Sequence, residues 1–93
     1  MRTPSFTTQF RKDIRRAEKR GKDMGRLKSI LRLLCEGSPL PERLRDHPLK
    51  GEFKGCRDLH IEPDWLLIYQ ADATTVLLLR TGRTPTFLTN SAN

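Results

Sequence analysis

The chain has 93 residues, 35% of them hydrophobic and 6% aromatic, and its 18 Lys and Arg against 11 Asp and Glu give a formal net charge of +7. That length supports one core, so a single domain over 1–93 is expected, built mainly from Leu, Ile and Val, with Phe6, Phe10, Phe53, Phe87, Trp65 and Tyr69 as scarce large pieces. No run reaches the ~18 apolar residues of a membrane span and the start lacks a secretory h-region, so a cytoplasmic location and no membrane partner are expected; two cysteines, Cys35 and Cys56, are too few for a disulfide framework and lack zinc-site spacing, so reduced thiols, no metal and no cofactor are expected.

The charge is uneven. Residues 1–50 hold 14 Lys and Arg against 6 Asp and Glu, whereas residues 51–93 hold 4 against 5. A field concentrated in the first half attracts polyanions: nucleic acid, an anionic surface or an acidic protein segment. A domain this small has a thin core, so a bound partner would add appreciably to its stability.

From Thr8 to Arg20, Phe10, Ile14 and Ala17 recur at helical spacing among Arg11, Lys12, Arg15, Arg16, Lys19 and Arg20, which predicts an amphipathic basic helix. Gly21 stops it, and Asp23 caps a second helix whose Met24, Leu27, Ile30, Leu31 and Leu34 keep the same period up to Gly37. Gly37-Ser38-Pro39-Leu40-Pro41 then breaks regular structure and a loop runs to about Leu49. Cys56–Ile61 and Trp65–Tyr69 read as strands joined by a turn at Glu62-Pro63-Asp64-Trp65, and 75–81 as a further strand. Edge strands are placed at 51–54 and near 2–6. The pattern gives an α+β fold, a helix hairpin over one face of a small antiparallel sheet. Counting alternation from Glu62 opposite Trp65 puts Cys56, Asp58 and His60 on one face with Trp65, Leu67 and Tyr69. Leu59, Ile61, Leu66 and Ile68 take the other face, under the helices.

Four segments collect the reactive side chains: Asp46-His47-Pro48-Leu49-Lys50-Gly51, Lys54-Gly55-Cys56-Arg57-Asp58-Leu59-His60, Pro63-Asp64-Trp65 and Leu79-Arg80-Thr81-Gly82. Cleaving RNA through its own 2′-hydroxyl needs a base, a cation for the charge growing on the phosphoryl oxygens, and an acid for the leaving 5′-oxygen. His, Asp, Lys and Arg supply these roles without a metal. Histidine titrates near neutrality and arginine presents a fork of donors to phosphate. Each residue also has a plainer role: His47 bonding backbone, His60 on the surface, Asp64 in a turn, Arg80 at a strand end, Trp65 in packing, the basic helix as a solvated face.

Together these segments resemble the YafQ branch of the RelE toxin superfamily. The resemblance is carried by His47-Pro48-Leu49-Lys50-Gly51, Lys54-Gly55-Cys56-Arg57-Asp58, His60-Ile61-Glu62-Pro63-Asp64-Trp65-Leu66-Leu67-Ile68-Tyr69 and Arg80-Thr81-Gly82. Arg20-Gly21-Lys22-Asp23-Met24 and Leu27-Lys28 fit the family's junction between two helices, so the match spans about residues 6–88. It implies two helices against a curved antiparallel sheet, and a toxin that cuts mRNA in the ribosomal A site. It further implies a co-expressed antitoxin that holds the toxin inactive in a hetero-oligomer and represses their shared operon by binding DNA. By position it makes His47 and His60 active-site residues, Asp64 an acid/base or orienting carboxylate, Trp65 a site neighbour and Arg80 the cation facing the scissile phosphate. Lys50 and Lys54 assist in binding phosphate. Arg11, Arg15 and Lys19 on the first helix suit RNA phosphates, and the Trp65 ring is a candidate stacking platform for an RNA base.

One departure stands out. After Arg80-Thr81-Gly82 the family has a residue and then a histidine, and ends in a Leu-Phe pair; here the sequence is Arg83-Thr84-Pro85-Thr86-Phe87-Leu88. Thr84 takes the place of the catalytic histidine, and Phe87 is assigned to the terminal aromatic position. A threonine hydroxyl is no acid or base near neutral pH. Two functions therefore stand side by side: an endoribonuclease working through His47, His60, Asp64 and Arg80, and a weakened or inactive variant that binds ribosome and antitoxin. A DNA-binding domain using the first helix fits less well, because the reactive groups gather in the other half of the chain.

Overall fold

A computed structural model of the chain describes residues 1–83. Its N-terminal stretch forms strand β1 (Thr3–Phe6), and Thr7 then caps helix α1 (Thr8–Lys19) by accepting the Phe10 N–H on its hydroxyl. Gly21, at φ 78°, turns the chain back in a conformation that a Cβ disfavours. Asp23 caps helix α2 (Met24–Glu36) through the Gly25 N–H, and Gly37 ends it in the left-handed region. Both helices start and stop where the sequence places them.

The next segment differs from expectation. Two 3-10 turns, Glu42–Leu44 and Gly51–Phe53, flank a two-residue strand, β2 (His47–Pro48). The edge strand expected over 51–54 is a 3-10 turn because Gly51 adopts φ 70° and the Lys54 N–H closes back on the Gly51 carbonyl. Strands β3 (Arg57–Glu62), β4 (Trp65–Ala71) and β5 (Thr75–Gly82) follow as a meander. The sheet order is β1-β5-β4-β3-β2, antiparallel throughout except that β1 lies parallel to β5. The sheet is therefore mixed. The helices and meander between β1 and β5 supply the long connection that a parallel pair requires.

Strict alternation also fails in the hairpin. Glu62 does face Trp65, but His60 pairs with Leu66, which leaves Ile61 as an extra, bulged residue. Beyond the bulge every β4 side chain is displaced by one position. Trp65, Leu67 and Tyr69 therefore join Leu59 and Ile61 beneath the helices, packed with Phe10, Ala17, Leu27, Ile30 and Leu34. Leu66 and Ile68, expected under the helices, lie on the opposite face with Cys56, covered by Leu49, Phe53 and Leu79. His60 and Asp58, paired with Leu66 and Ile68, share that second face. Phe6 is partly outside the core, 39% exposed and stacked on Phe10.

Candidate active site

Register across four strands draws the candidate residues into line. His47 pairs with Asp58, Asp58 with Ile68 and Ile68 with Arg80; the next row, two residues along, is His60, Leu66 and Gly82. Adjacent strands lie about 4.8 Å apart, so the backbones of His47 and Arg80 are separated by about 14 Å. That width suits an extended polymer.

At the β2 edge two consecutive residues reach across to two consecutive partners on β3. Asp46 accepts from Arg57 Nε at 3.0 Å and from the hydroxyl of Tyr69, which tethers the loop before β2 to the sheet. Burial and the neighbouring Asp46 carboxylate push the Tyr69 phenol well above its ordinary range. His47 places Nδ1 at 2.7 Å from the Arg45 carbonyl and Nε2 at 2.9 Å from Asp58 Oδ1. The second contact is close but off the line of a good hydrogen bond, since Oδ1 gains no aligned donor. Asp58 is buried, and desolvation raises its pKa against the opposing pull of His47 and His60.

His60 is half-buried, with Nδ1 at 3.4 Å from the Pro63 carbonyl. That contact favours the proton on Nδ1 and leaves Nε2, which has no partner among the described residues, as the acceptor of the neutral ring. Asp64 lies on the adjoining turn, 64% exposed, with Oδ1 3.5 Å from Lys22 Nζ. Lys22 belongs to the junction between α1 and α2. It also pairs with Glu62 at 3.2 Å and sits 5.9 Å from the centroid of the Trp65 ring, so the helix hairpin is fastened to the β3–β4 turn. Trp65 is only 1% exposed and packs among the helix-side residues, so it offers no open stacking surface for a base.

Past the end of β1, β5 has a free edge, and α1 lies against it. There Asp13, its side chain 2% exposed, accepts from Arg80 Nε at 3.1 Å and Nη2 at 3.3 Å, from the Thr81 N–H at 3.1 Å and from Gln9 at 3.1 Å. The carboxylate fixes one edge of the guanidinium and turns the Nη1 edge away from itself. Lys50 and Lys54 are exposed on either side of the turn whose Phe53 covers Cys56 and Ile68. Arg11, Arg15 and Lys19 are exposed on α1, but Arg11 and Arg15 border the apolar trough between the helices, away from Arg80. Thr84 and Phe87 lie outside the described residues. Cys35 and Cys56 are free, and burial raises the Cys56 thiol. Among the described residues no group of three or more His, Cys, Asp or Glu is arranged to hold a metal, and no helix is long and apolar enough to cross a membrane.

Three residues to which the sequence gave no site role organise this region: Asp13, Lys22 and Asp58. Asp13 carried a signal, since it falls on the core-facing stripe of α1 three residues after Phe10 and four before Ala17, where a carboxylate requires partners. Asp58 is two residues before His60 on one strand and so shares its face. Lys22 gave no such sign.

A helix hairpin over one face of a five-stranded mixed sheet is the architecture of a class of small bacterial toxins. The crystal structure of YafQ from Escherichia coli BL21(DE3) superposes with a TM-score of 0.86 at 43% identity, covering 91% of this chain and 96% of that one. The E. coli DinJ–YafQ toxin-antitoxin complex gives a TM-score of 0.85 at 42% identity, over 92% and 96%. The mRNA interferase toxin YafQ of E. coli K12 is 48% identical over 78 residues, 83% of this chain and 85% of that protein. The profile of the family described as YafQ, bacterial toxin of type II toxin-antitoxin systems, matches residues 2–86, and the chain belongs to that family.

Proposed function

We propose that this toxin is an endoribonuclease that cuts mRNA in the ribosomal A site by attack of the RNA's own 2′-hydroxyl, without a metal. The observation that carries the reading is the alignment of His47, Asp58 and Arg80 across four strands with His60 in the next row. His60 Nε2 takes the 2′-hydroxyl proton; Arg80, held by Asp13, stabilises the charge growing on the phosphoryl oxygens; the leaving 5′-oxygen takes its proton from solvent, and Asp64, beside the turn, is the orienting carboxylate. His47, held close to the Arg45 carbonyl and to Asp58, orients the site. Lys50 and Lys54 approach the flanking backbone. A relative named mRNA interferase supports this chemistry, and a related toxin bound to its antitoxin supports a cognate antitoxin that holds this one inactive. A toxin that acts on ribosomes works in the cytoplasm.

Attack by the 2′-oxygen expels the 5′-oxygen and leaves a 2′,3′-cyclic phosphate and a 5′-hydroxyl. An mRNA with a single 2′-deoxyribose at the cut site should therefore survive on programmed ribosomes, while the all-ribose strand is cut. Cleavage of the deoxy-substituted strand, or a 5′-phosphate on the downstream product, would overturn the mechanism. Thr84 favours a second reading, a variant that binds ribosome and antitoxin with little cleavage. An uncut all-ribose strand with ribosome binding intact would establish it.

A further inference from the structure

The structure divides the cations of α1 and its C-cap between two faces. Arg16 and Arg20 lie four residues apart and share a face with Asp13 and Ala17. They form one wall of a narrow cleft whose opposite wall is Lys22, Asp64 and the Arg80–Arg83 end of β5. Arg11 and Arg15 look the other way, into the apolar trough between the helices, together with Glu18.

Among the described residues the cleft carries an excess of positive charge. Five cations, Arg16, Arg20, Lys22, Arg80 and Arg83, meet two carboxylates, Asp13 and Asp64. Asp13 is committed to Arg80 and the Thr81 N–H, and Asp64 to Lys22. Arg16 and Arg20 have no ion-pair partner among the described residues, and like charges four apart on a helix repel. Such a cluster is relieved by an anion offering several oxygens, which guanidinium forks match in geometry. The narrow cleft and the buried Trp65 ring at its side fit a phosphate better than a base.

We propose that Arg16 and Arg20 form a second phosphate subsite, which holds the RNA phosphate next to the scissile one faced by Arg80. The proposal rests on the RNA-cleaving function and adds the path of the strand over this end of the sheet. It also separates that path from the Arg11 and Arg15 face.

The test pairs protein charge with RNA charge. The probes are mRNAs on programmed ribosomes, with 2′-deoxyribose at the cut site and one neutral methylphosphonate at each flanking linkage in turn. Wild-type toxin should lose about tenfold in affinity at one linkage, the scale of one lost charge-assisted contact. The Arg16→Gln/Arg20→Gln variant should bind the unmodified strand more weakly, show no further loss at that linkage, and have a shallower dependence on salt. Lys28→Gln/Arg32→Gln on α2, an equal change in charge at exposed residues outside the cleft, should keep the wild-type response. The subsite is overturned if the Arg16/Arg20 variant responds to every linkage as wild type does, if no linkage affects wild type, or if the variant loses only antitoxin binding. Because these strands are read by binding, a toxin that fails to cut the all-ribose mRNA would refute the cleavage function while leaving the subsite decided.

Discussion

Asp13 and Arg80, 67 residues apart in sequence, meet as a bidentate pair at 3.1 and 3.3 Å where α1 crosses the free edge of β5. The carboxylate is buried and also accepts the Thr81 N–H, so it ties the guanidinium and the helix to the same strand end.

Asp13→Asn keeps an acceptor but removes the charge that holds Arg80. Removing one partner of a buried pair costs about 3–5 kcal/mol, and retention of an acceptor places this variant toward the lower end. Misplacing Arg80 should lower cleavage by roughly 10²-fold. In an Arg80→Ala background the same change should have little further effect on cleavage. Equal losses in both backgrounds would show that Asp13 acts on the fold alone.

Asp58 gives a pH dependence of defined sign. Burial raises its folded pKa above the unfolded value of roughly 3.9. Its contribution to stability is therefore fully present below that value and lost as pH rises through the folded pKa. Asp58→Asn does not titrate, so the variant should gain on wild type as pH rises from about 4 and level off once Asp58 is ionised in the folded protein. Denaturant midpoints measured in parallel across that window test this, and a gain for wild type with rising pH would contradict it.

Trp65 is the chain's one tryptophan, so its fluorescence reports on a single position. Its place in the core predicts that Trp65→Ala loses about 3–5 kcal/mol, a large part of the stability of a small domain. Circular dichroism should show much earlier thermal unfolding. A variant as stable as wild type but weak in RNA binding would return Trp65 to the role of a stacking platform.

Thr84→His restores an acid/base group at the position of the family's histidine. If proton transfer there limits cleavage, the rate should rise by about 10²–10⁴. Reconstituted translation with a defined mRNA measures it directly; an unchanged rate would remove this position from the machinery.

What the sequence revealed was what is determined locally. The limits of α1 and α2 depend on Thr7, Gly21, Asp23 and Gly37, whose capping preferences act within a turn of the helix. The hairpin turn at Glu62-Pro63-Asp64-Trp65 is equally local. The bulge at Ile61 is a property of two strands together, and missing it assigned Trp65, Leu67 and Tyr69 to the wrong face. The parallel seat of β1 and the pairing of Asp13 with Arg80 are likewise contacts across most of the chain. The candidate histidines, Asp64 and Arg80 were found by side-chain chemistry and by resemblance, whereas the supporting roles of Asp13, Asp58 and Lys22 depend on tertiary contacts.

Primer extension on mRNA from cells expressing the toxin, beside His60→Ala and Arg80→Ala, tests mRNA cleavage most directly. New ends within translated codons are expected with wild type and should be absent or much reduced in both variants. The absence of such ends with wild type, while the protein still binds ribosomes, would contradict it.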